Sequence, residues 1–230
     1  TKKRLTNKFG AKKFIVYFQS FTNTYAPFST LKALYEKALS FDGVIGLSIG
    51  TRTDCVTDEI LDYLVGLSKE KEIWVEYGIQ SFFDETLVRI NRGDNSANMK
   101  YWIKRSKEKG LNICGHLIYG LPDETQEMML ETFKQTLELN VDSIKFHPLY
   151  VVKNTLLTNE YKKGKFTPIS EELYIDTVVK SISNLPSNIS VQRVTAGIDD
   201  DTLLAPQWCR NKHQQMKKIR SALEEVGLNY

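Results

Sequence analysis

Apolar and polar residues alternate with period two in five short segments of this chain: Phe14 to Gln19, Val44 to Gly50, Ile73 to Gln80, Ile113 to Tyr119 and Ile144 to Tyr150. In the third, Ile73, Val75, Tyr77 and Ile79 share one side while Trp74, Glu76, Gly78 and Gln80 share the other, the pattern of a strand with two unlike faces. The equivalent polar places in the other segments are taken by Tyr17 and Gln19, by Ser48, by His116, and by Lys145 and His147. A carboxylate or ammonium buried without partners costs on the order of several kcal/mol, so such a face survives only around water, a ligand or counter-charges. It is expected to line a cavity.

Helical spacing follows each strand. Leu31, Leu34, Tyr35, Ala38 and Leu39 form one apolar stripe, and Ile60, Leu61, Leu64 and Val65 form the next, behind Thr57 as an N-cap. Ala97 to Gly110, the stripe Leu130, Phe133 and Leu137, the segment after the Ser170 cap and the run Met216, Ile219, Leu223 and Val226 continue the series. Strands alternating with helices predict right-handed crossovers and a parallel sheet, with Ile189 to Thr195 as a sixth strand. Short connections and strand faces of mixed polarity favour a curved, barrel-like sheet over a flat doubly wound one. Asn154 to Pro168 has no clear pattern and is expected to be a polar loop, the kind of segment that serves as a lid or binding loop.

Composition changes this picture little. A chain of 230 residues with 41% hydrophobic and 26% charged residues suits one large globular domain. No apolar run approaches the roughly 20 residues that cross a bilayer, and no signal pattern opens the chain, so it reads as cytoplasmic with no membrane partner. Cys55, Cys114 and Cys209 show no C-x-x-C spacing and predict neither a disulfide framework nor a self-contained metal site. Cys55 and Cys114 read as small buried hydrophobes, and Cys209 is the thiol to suspect of reactivity. The net charge of +3 does not by itself argue for nucleic acid. Basic clusters at Lys2 to Lys13 and Lys212 to Arg220 are solvated faces or phosphate-contacting patches.

The residues after the strands carry a resemblance. Glu76-Tyr77-Gly78-Ile79-Gln80-Ser81, Arg92-Gly93-Asp94 and His116-Leu117-Ile118-Tyr119-Gly120-Leu121-Pro122 resemble the radical S-adenosylmethionine superfamily. The branch is the one that contains oxygen-independent coproporphyrinogen dehydrogenase and the Elongator catalytic subunit. Gly50-Thr51-Arg52-Thr53-Asp54-Cys55, the run Val16 to Thr24 and Ala205-Pro206-Gln207-Trp208-Cys209 are similar to a narrower YhcC/YtqA-type group, with Thr53 in place of that group's proline. The resemblance implies an α/β fold, a partial (β/α)6 TIM-like barrel of parallel strands with helices outside. It also implies S-adenosylmethionine held against a [4Fe-4S] cluster and cleaved reductively to start radical chemistry on an organic substrate. Gln80 and Arg92 correspond to the residues that bind the methionine and ribose parts of the cofactor, and their chemistry suits ribose hydroxyls and a carboxylate. His116 stands where the family has an aspartate for the ribose, which moves that role to Glu76 or to water. Pro148-Leu149-Tyr150 resembles the backbone segment that frames adenine. With Tyr17 and Gln19 from the first strand, these residues make up the expected cofactor site, with no metal ligand in the chain.

The family's C-x3-C-x2-C loop has no counterpart in the sequence. It is expected upstream of Thr1, with the first βα unit; this fragment alone would then be inactive. The natural divisions are 1–185 for the barrel core and 186–230 for a C-terminal strand-helix extension packed on it. Elongator similarity and the basic segments suggest a tRNA wobble uridine as substrate, and the cluster calls for an electron donor. Two other readings stay open: a cluster-free nucleotide- or tRNA-binding barrel, and a phosphate-binding barrel enzyme with Glu76 and His147 as acid and base. Glu76 also has a purely structural reading, as a core carboxylate satisfied by Lys145 or Arg52.

Overall fold

The computed structural model describes residues 2–228. Its main sheet has six strands in the order β1-β2-β3-β4-β5-β7, where β1 is Phe14–Phe18, β2 Val44–Thr51, β3 Glu72–Gln80, β4 Asn112–Tyr119, β5 Ser143–Pro148 and β7 Ser190–Arg193. The strands are parallel, as alternation with helices demands. Two short strands, β6 (Val151–Val152) and β8 (Leu203–Ala205), pair antiparallel in a sheet of their own. The chain divides into two compact units, one holding the residues up to Gly78 with Asn98–Cys114, the other Ile79–Ala97 with Gly115 onward.

In the first unit, α1 (Lys2–Phe9) precedes β1, α2 (Phe28–Leu39) joins β1 to β2, and α3 (Asp58–Ser68) joins β2 to β3. Helix α2 buries Leu31, Tyr35 and Ala38, and α3 buries Ile60, Leu61 and Leu64, most of each expected stripe, but Leu34 of α2 is exposed. The Thr57 side chain accepts from the Ile60 amide and so satisfies one of the unpaired donors at the start of α3. Cα pairing sets Tyr17 beside Ser48, Ser48 beside Trp74 and Gly50 beside Glu76, so the polar residues of β1 to β3 share a face. The opposite residues Leu47, Ile49, Ile73, Val75 and Tyr77 are at most 1% exposed. Tyr77 reaches the Ser106 hydroxyl of α5 (Ser96–Glu108) at 2.8 Å, which satisfies its phenol on that buried side.

In the second unit, α4 (Asp84–Arg89) follows β3, α6 (Gln126–Glu138) joins β4 to β5, and α8 (Glu171–Ser183) leads to β7. An aromatic cluster fills the helix side: Tyr119 lies 5.3 Å from Phe146, Phe146 6.0 Å from Phe133, and Tyr174 5.3 Å from Trp208. Their polar tips are paired. Tyr119 meets the Ser181 hydroxyl at 2.8 Å, and Tyr174 donates to the Val194 carbonyl at 2.8 Å. The C-terminal helix α9 (Lys212–Glu225) is fastened through Gln215, which accepts from Thr195 and donates to the Trp208 carbonyl.

Several expectations need correction. Asn154 to Pro168 is not all loop, because α7 (Leu156–Lys162) forms behind a Thr155 cap too short to give a visible apolar stripe. The fifth strand ends at Pro148, so Leu149 and Tyr150 lie between β5 and β6 rather than in a strand. Gln19 likewise falls just beyond β1. Cys55, expected as a small buried hydrophobe, is only half-buried and donates to Asp54, whereas Cys209 is fully buried, which pushes its thiol up to about 12 and leaves it unreactive.

Gly46 shows how closely β2 and β3 approach, since a Cβ there would stand 2.0 Å from the Glu72 carbonyl oxygen. Gly46→Ala should therefore lower the unfolding free energy by about 1–3 kcal/mol or more. Gly66→Ala, in α3 with open space around the site, should raise it by about 0.5–1 kcal/mol. Urea denaturation of the two variants checks both signs.

Candidate cofactor site

In the first unit the polar face is built around Glu76, which is 2% exposed on β3. The Ser48 hydroxyl donates to its Oε1, and the Cys114 thiol on β4 lies within 4.8 Å of the carboxylate. Tyr17 is half-buried on the same face, and Gln19 is exposed. Next to this face, Asn23 donates to the carbonyls of Phe18 and Gly50 at 3.0 and 2.9 Å, and Thr24 meets the Thr51 hydroxyl at 2.5 Å. The resemblance motifs after β1 and β2 therefore hold each other in shape.

In the second unit Gln80 closes β3 with φ of 69°, a left-handed backbone that is uncommon for residues other than glycine. Its Oε1 is buried and has no hydrogen-bond partner. The following residue explains how the turn is held. Ser81 is fully buried, donates to Glu124 Oε1 at 2.5 Å and accepts from the Phe83 amide at 3.1 Å. Burial pushes the Glu124 carboxyl up, and hydrogen bonds from Ser81 and Thr86 offset part of that rise. Glu124 follows the Gly120-Leu121-Pro122 turn, so two family motifs are tied to each other by one short bond. Arg92 is half-buried just after α4, its amide donating to the Leu87 carbonyl at 2.8 Å.

His116 is half-buried on β4, two residues beyond Cys114 and on the same face. The Leu149 amide donates to the Tyr119 carbonyl at 2.9 Å, which ties the Pro148 to Tyr150 segment to the end of β4. The Tyr150 hydroxyl is buried without a partner, and burial raises its pKa, so it stays an O–H donor. Its ring meets the edge of His147 at 4.6 Å. His147 Nδ1 lies 2.6 Å from the Pro148 carbonyl, which can only accept, so that nitrogen carries the proton and Nε2 presents a lone pair. Burial pulls the His147 pKa down to about 4, helped by the charges of Arg193 and His116. A cavity of about 480 Å³ also lies between the 120–124 turn and the 166–170 segment, but none of the expected cofactor residues lines it.

Residues 2–136 match the Radical SAM superfamily, and residues 141–225 match the Radical_SAM C-terminal domain. The chain belongs to the radical SAM superfamily. It is 37% identical to Protein YhcC of Escherichia coli (strain K12), covering 95% of this chain and 71% of that protein. It is 35% identical to YtqA of Bacillus subtilis (strain 168), over 98% of this chain and 70% of that one. A tRNA uridine(34) acetyltransferase of Methanocaldococcus infernus is 27% identical over 67% of this chain and 29% of its own length. Among solved structures, the archaeal Methanocaldococcus infernus Elp3 with an N-terminal deletion (1-46) superposes with a TM-score of 0.79 at 21% identity. That match covers 99% of this chain, which spans 58% of the Elp3 chain. The likeness is one of fold, and it bears out the partial (β/α)6 barrel of parallel strands with helices outside.

The side chains fit one of the two groups that the superfamily implies. The orphaned amide oxygen at Gln80 suits a ligand bearing hydrogen-bond donors, such as S-adenosylmethionine. The cysteines do not fit a [4Fe-4S] cluster. Cys114 and Cys209 are fully buried, Cys55 donates to Asp54 Oδ1 at 3.6 Å, and none offers an open thiolate. Sequence reasoning set Ser48 on the polar face and Ser81 in a motif, but did not give their bonds to Glu76 and Glu124. The parallel register that puts Ser48 on the Glu76 face was open to inspection, but the link from Ser81 to Glu124 spans 43 residues and has no local signal.

The buried neutral His147 makes a pH prediction. Its folded pKa of about 4 lies below the ordinary 6.5, so the unfolded chain binds more protons between these values. The stabilisation is complete above 6.5 and should be lost as pH falls toward 4, by up to about 1.4 kcal/mol per pH unit. Urea unfolding across this range should show that slope, and His147→Gln should flatten it.

Proposed function

We propose that this chain is the cofactor-cradling part of a radical SAM enzyme that binds S-adenosylmethionine and starts radical chemistry on an organic substrate. The observation that carries the reading is Gln80, held at φ of 69° by the Ser81 to Glu124 bond with its buried amide oxygen unpaired. Backbone strain and an unsatisfied buried acceptor cost about 1–3 kcal/mol each, and a bound ligand that donates to the amide explains why both persist. In this reading Gln80 and Arg92 hold the methionine and ribose parts, while Leu149 and Tyr150 frame the adenine. Tyr17, Gln19, Glu76 and His116 complete the site, and residues 1–185 and 186–230 are barrel core and extension.

The cluster is proposed to come from a strand-loop-helix unit upstream of Thr1. Among the described residues β1 pairs with β2 alone, and Ile15 is 45% exposed on that edge strand, which supports this. When bound, the cluster supplies the electron for reductive cleavage of the sulfonium, and an external donor must reduce it. The chain's own contribution is to bind, to orient and to exclude water; on its own it is inactive. The absence of a helix long and apolar enough to cross a membrane, among the described residues, is consistent with a cytoplasmic enzyme.

Equilibrium dialysis tests the cradle without the cluster. S-adenosylmethionine should bind this chain saturably, and Gln80→Ala should weaken binding about tenfold, the loss of one buried hydrogen bond. No saturable binding, or equal binding by the variant, overturns the reading.

A modified tRNA wobble uridine is the proposed substrate. The name of the relative that acts on tRNA uridine 34 and the basic segments near both ends support it. Affinity of the intact protein for tRNA should fall at least about tenfold between about 50 and 200 mM salt, as counterion release requires. Absence of binding at low salt removes this substrate. The second reading is a cluster-free nucleotide- or tRNA-binding domain. Iron and sulfide in the purified intact protein would eliminate it.

A further inference from the structure

We infer that the paired ends of β5 and β7 form an anion-binding site, in which Arg193 takes a phosphate-ester or carboxylate group of the substrate. It rests on the proposed function only in calling the ligand a substrate. Arg193 closes β7, and its Cα pairs with that of Lys145 on β5. Arg193 and Lys145 thus bring two cationic residues to the same end of the sheet. Lys145 is 7% exposed and engaged in the fold, so the site depends on Arg193. Arg193 is half-buried, and among the described residues its guanidinium makes no hydrogen bond or ion pair.

A second donor points to the same place. Two residues beyond Lys145 on β5 is His147, whose ring edge meets Tyr150 at 4.6 Å. The Tyr150 O–H is buried and unpaired, and the charge of Arg193 reaches both Tyr150 and His147. An anionic oxygen group satisfies both donors at once: the guanidinium forks onto two oxygens and the phenol donates to one. The His147 Nε2 lone pair beside them accepts from a hydroxyl or protonated oxygen on the same ligand. Neutral His147 leaves Arg193 as the charge that selects for an anion. Neither Arg193 nor His147 falls within the motifs that carry the family resemblance.

Inorganic phosphate and acetate are suitable probes, titrated at neutral pH into protein with labelled histidines. Saturable shifts of the His147 ring nitrogens are expected with at least one of them. Stronger binding of phosphate assigns a phosphate ester, and stronger binding of acetate assigns a carboxylate. Arg193→Gln should weaken the response at least tenfold, and Arg193→Lys, which keeps the charge but loses the fork, should weaken it less. If the glutamine variant fails to fold, the lysine variant and the wild-type response decide. No His147 response to either anion, or unaltered affinity in the variants, overturns the site. Gln80→Ala should leave anion binding intact, so a failure of S-adenosylmethionine binding with retained anion binding removes only the cofactor reading. If Arg193→Gln also weakens S-adenosylmethionine, the anionic group held is the cofactor's own, and the substrate assignment falls.

Discussion

Glu76 is a carboxylate at 2% exposure in the middle of a strand, and much of this fold is an answer to that placement. Removing such a group from water is costly unless hydrogen bonds or counter-charges replace the lost hydration. Ser48, placed on the same face by the parallel register of β2 and β3, supplies one such bond. The register itself depends on Gly46, where a side chain would collide with the Glu72 backbone. A polar interior face is thus maintained by the same close strand packing that leaves Leu47, Ile49, Val75 and Tyr77 dry on the other side.

The same division governs the second unit. Tyr119, Phe146 and Tyr174 pack against helices and find partners for their hydroxyls, whereas Tyr150 and Gln80 hold buried polar atoms with none. The hydroxyl of Tyr63 and one oxygen of Glu124 are buried without a partner as well. Buried polar groups in folded proteins are satisfied in the great majority of cases, so orphans concentrated on expected cofactor residues carry information. The turn after β3 is also built to resist relaxation. Ser81 is clamped between Glu124 and the Phe83 amide, so Gln80 keeps its left-handed backbone. Arg89 adds a second brace, with Asp123 at 3.2 Å and Glu160 of α7 at 2.6 Å, which fixes to the turn a segment that reads as loop.

Superfamily membership and the state of the cysteines pull in different directions only if this chain must act alone. Cys114 is fully buried beside the Glu76 carboxylate, Cys209 is fully buried and Cys55 donates to Asp54, so the three thiols are not grouped as the ligands of a cluster. The cofactor cradle and the cluster loop are separable parts of such a barrel, one made by strand ends and turns and the other by a single loop.

Period-two alternation determined five strands and their two faces, and helical stripes with Thr57 and Ser170 caps determined the helices between them, because both patterns are local and repeat along the chain. The family resemblance grouped Gln80, Arg92 and the Gly120-Leu121-Pro122 turn; Gln80 and the turn stand at the ends of β3 and β4, and Arg92 follows α4. Short elements were not legible: α7 and the β6 to β8 pair have too few residues to show a period, and β6 to β8 needs a partner some 50 residues away. Tertiary structure alone decided that Gln80 is strained, that Glu124 holds Ser81, that Cys209 is inert and that Arg193 faces Lys145. Each of these depends on burial or on a contact between distant segments, and neither quantity is written in the order of residues along the chain.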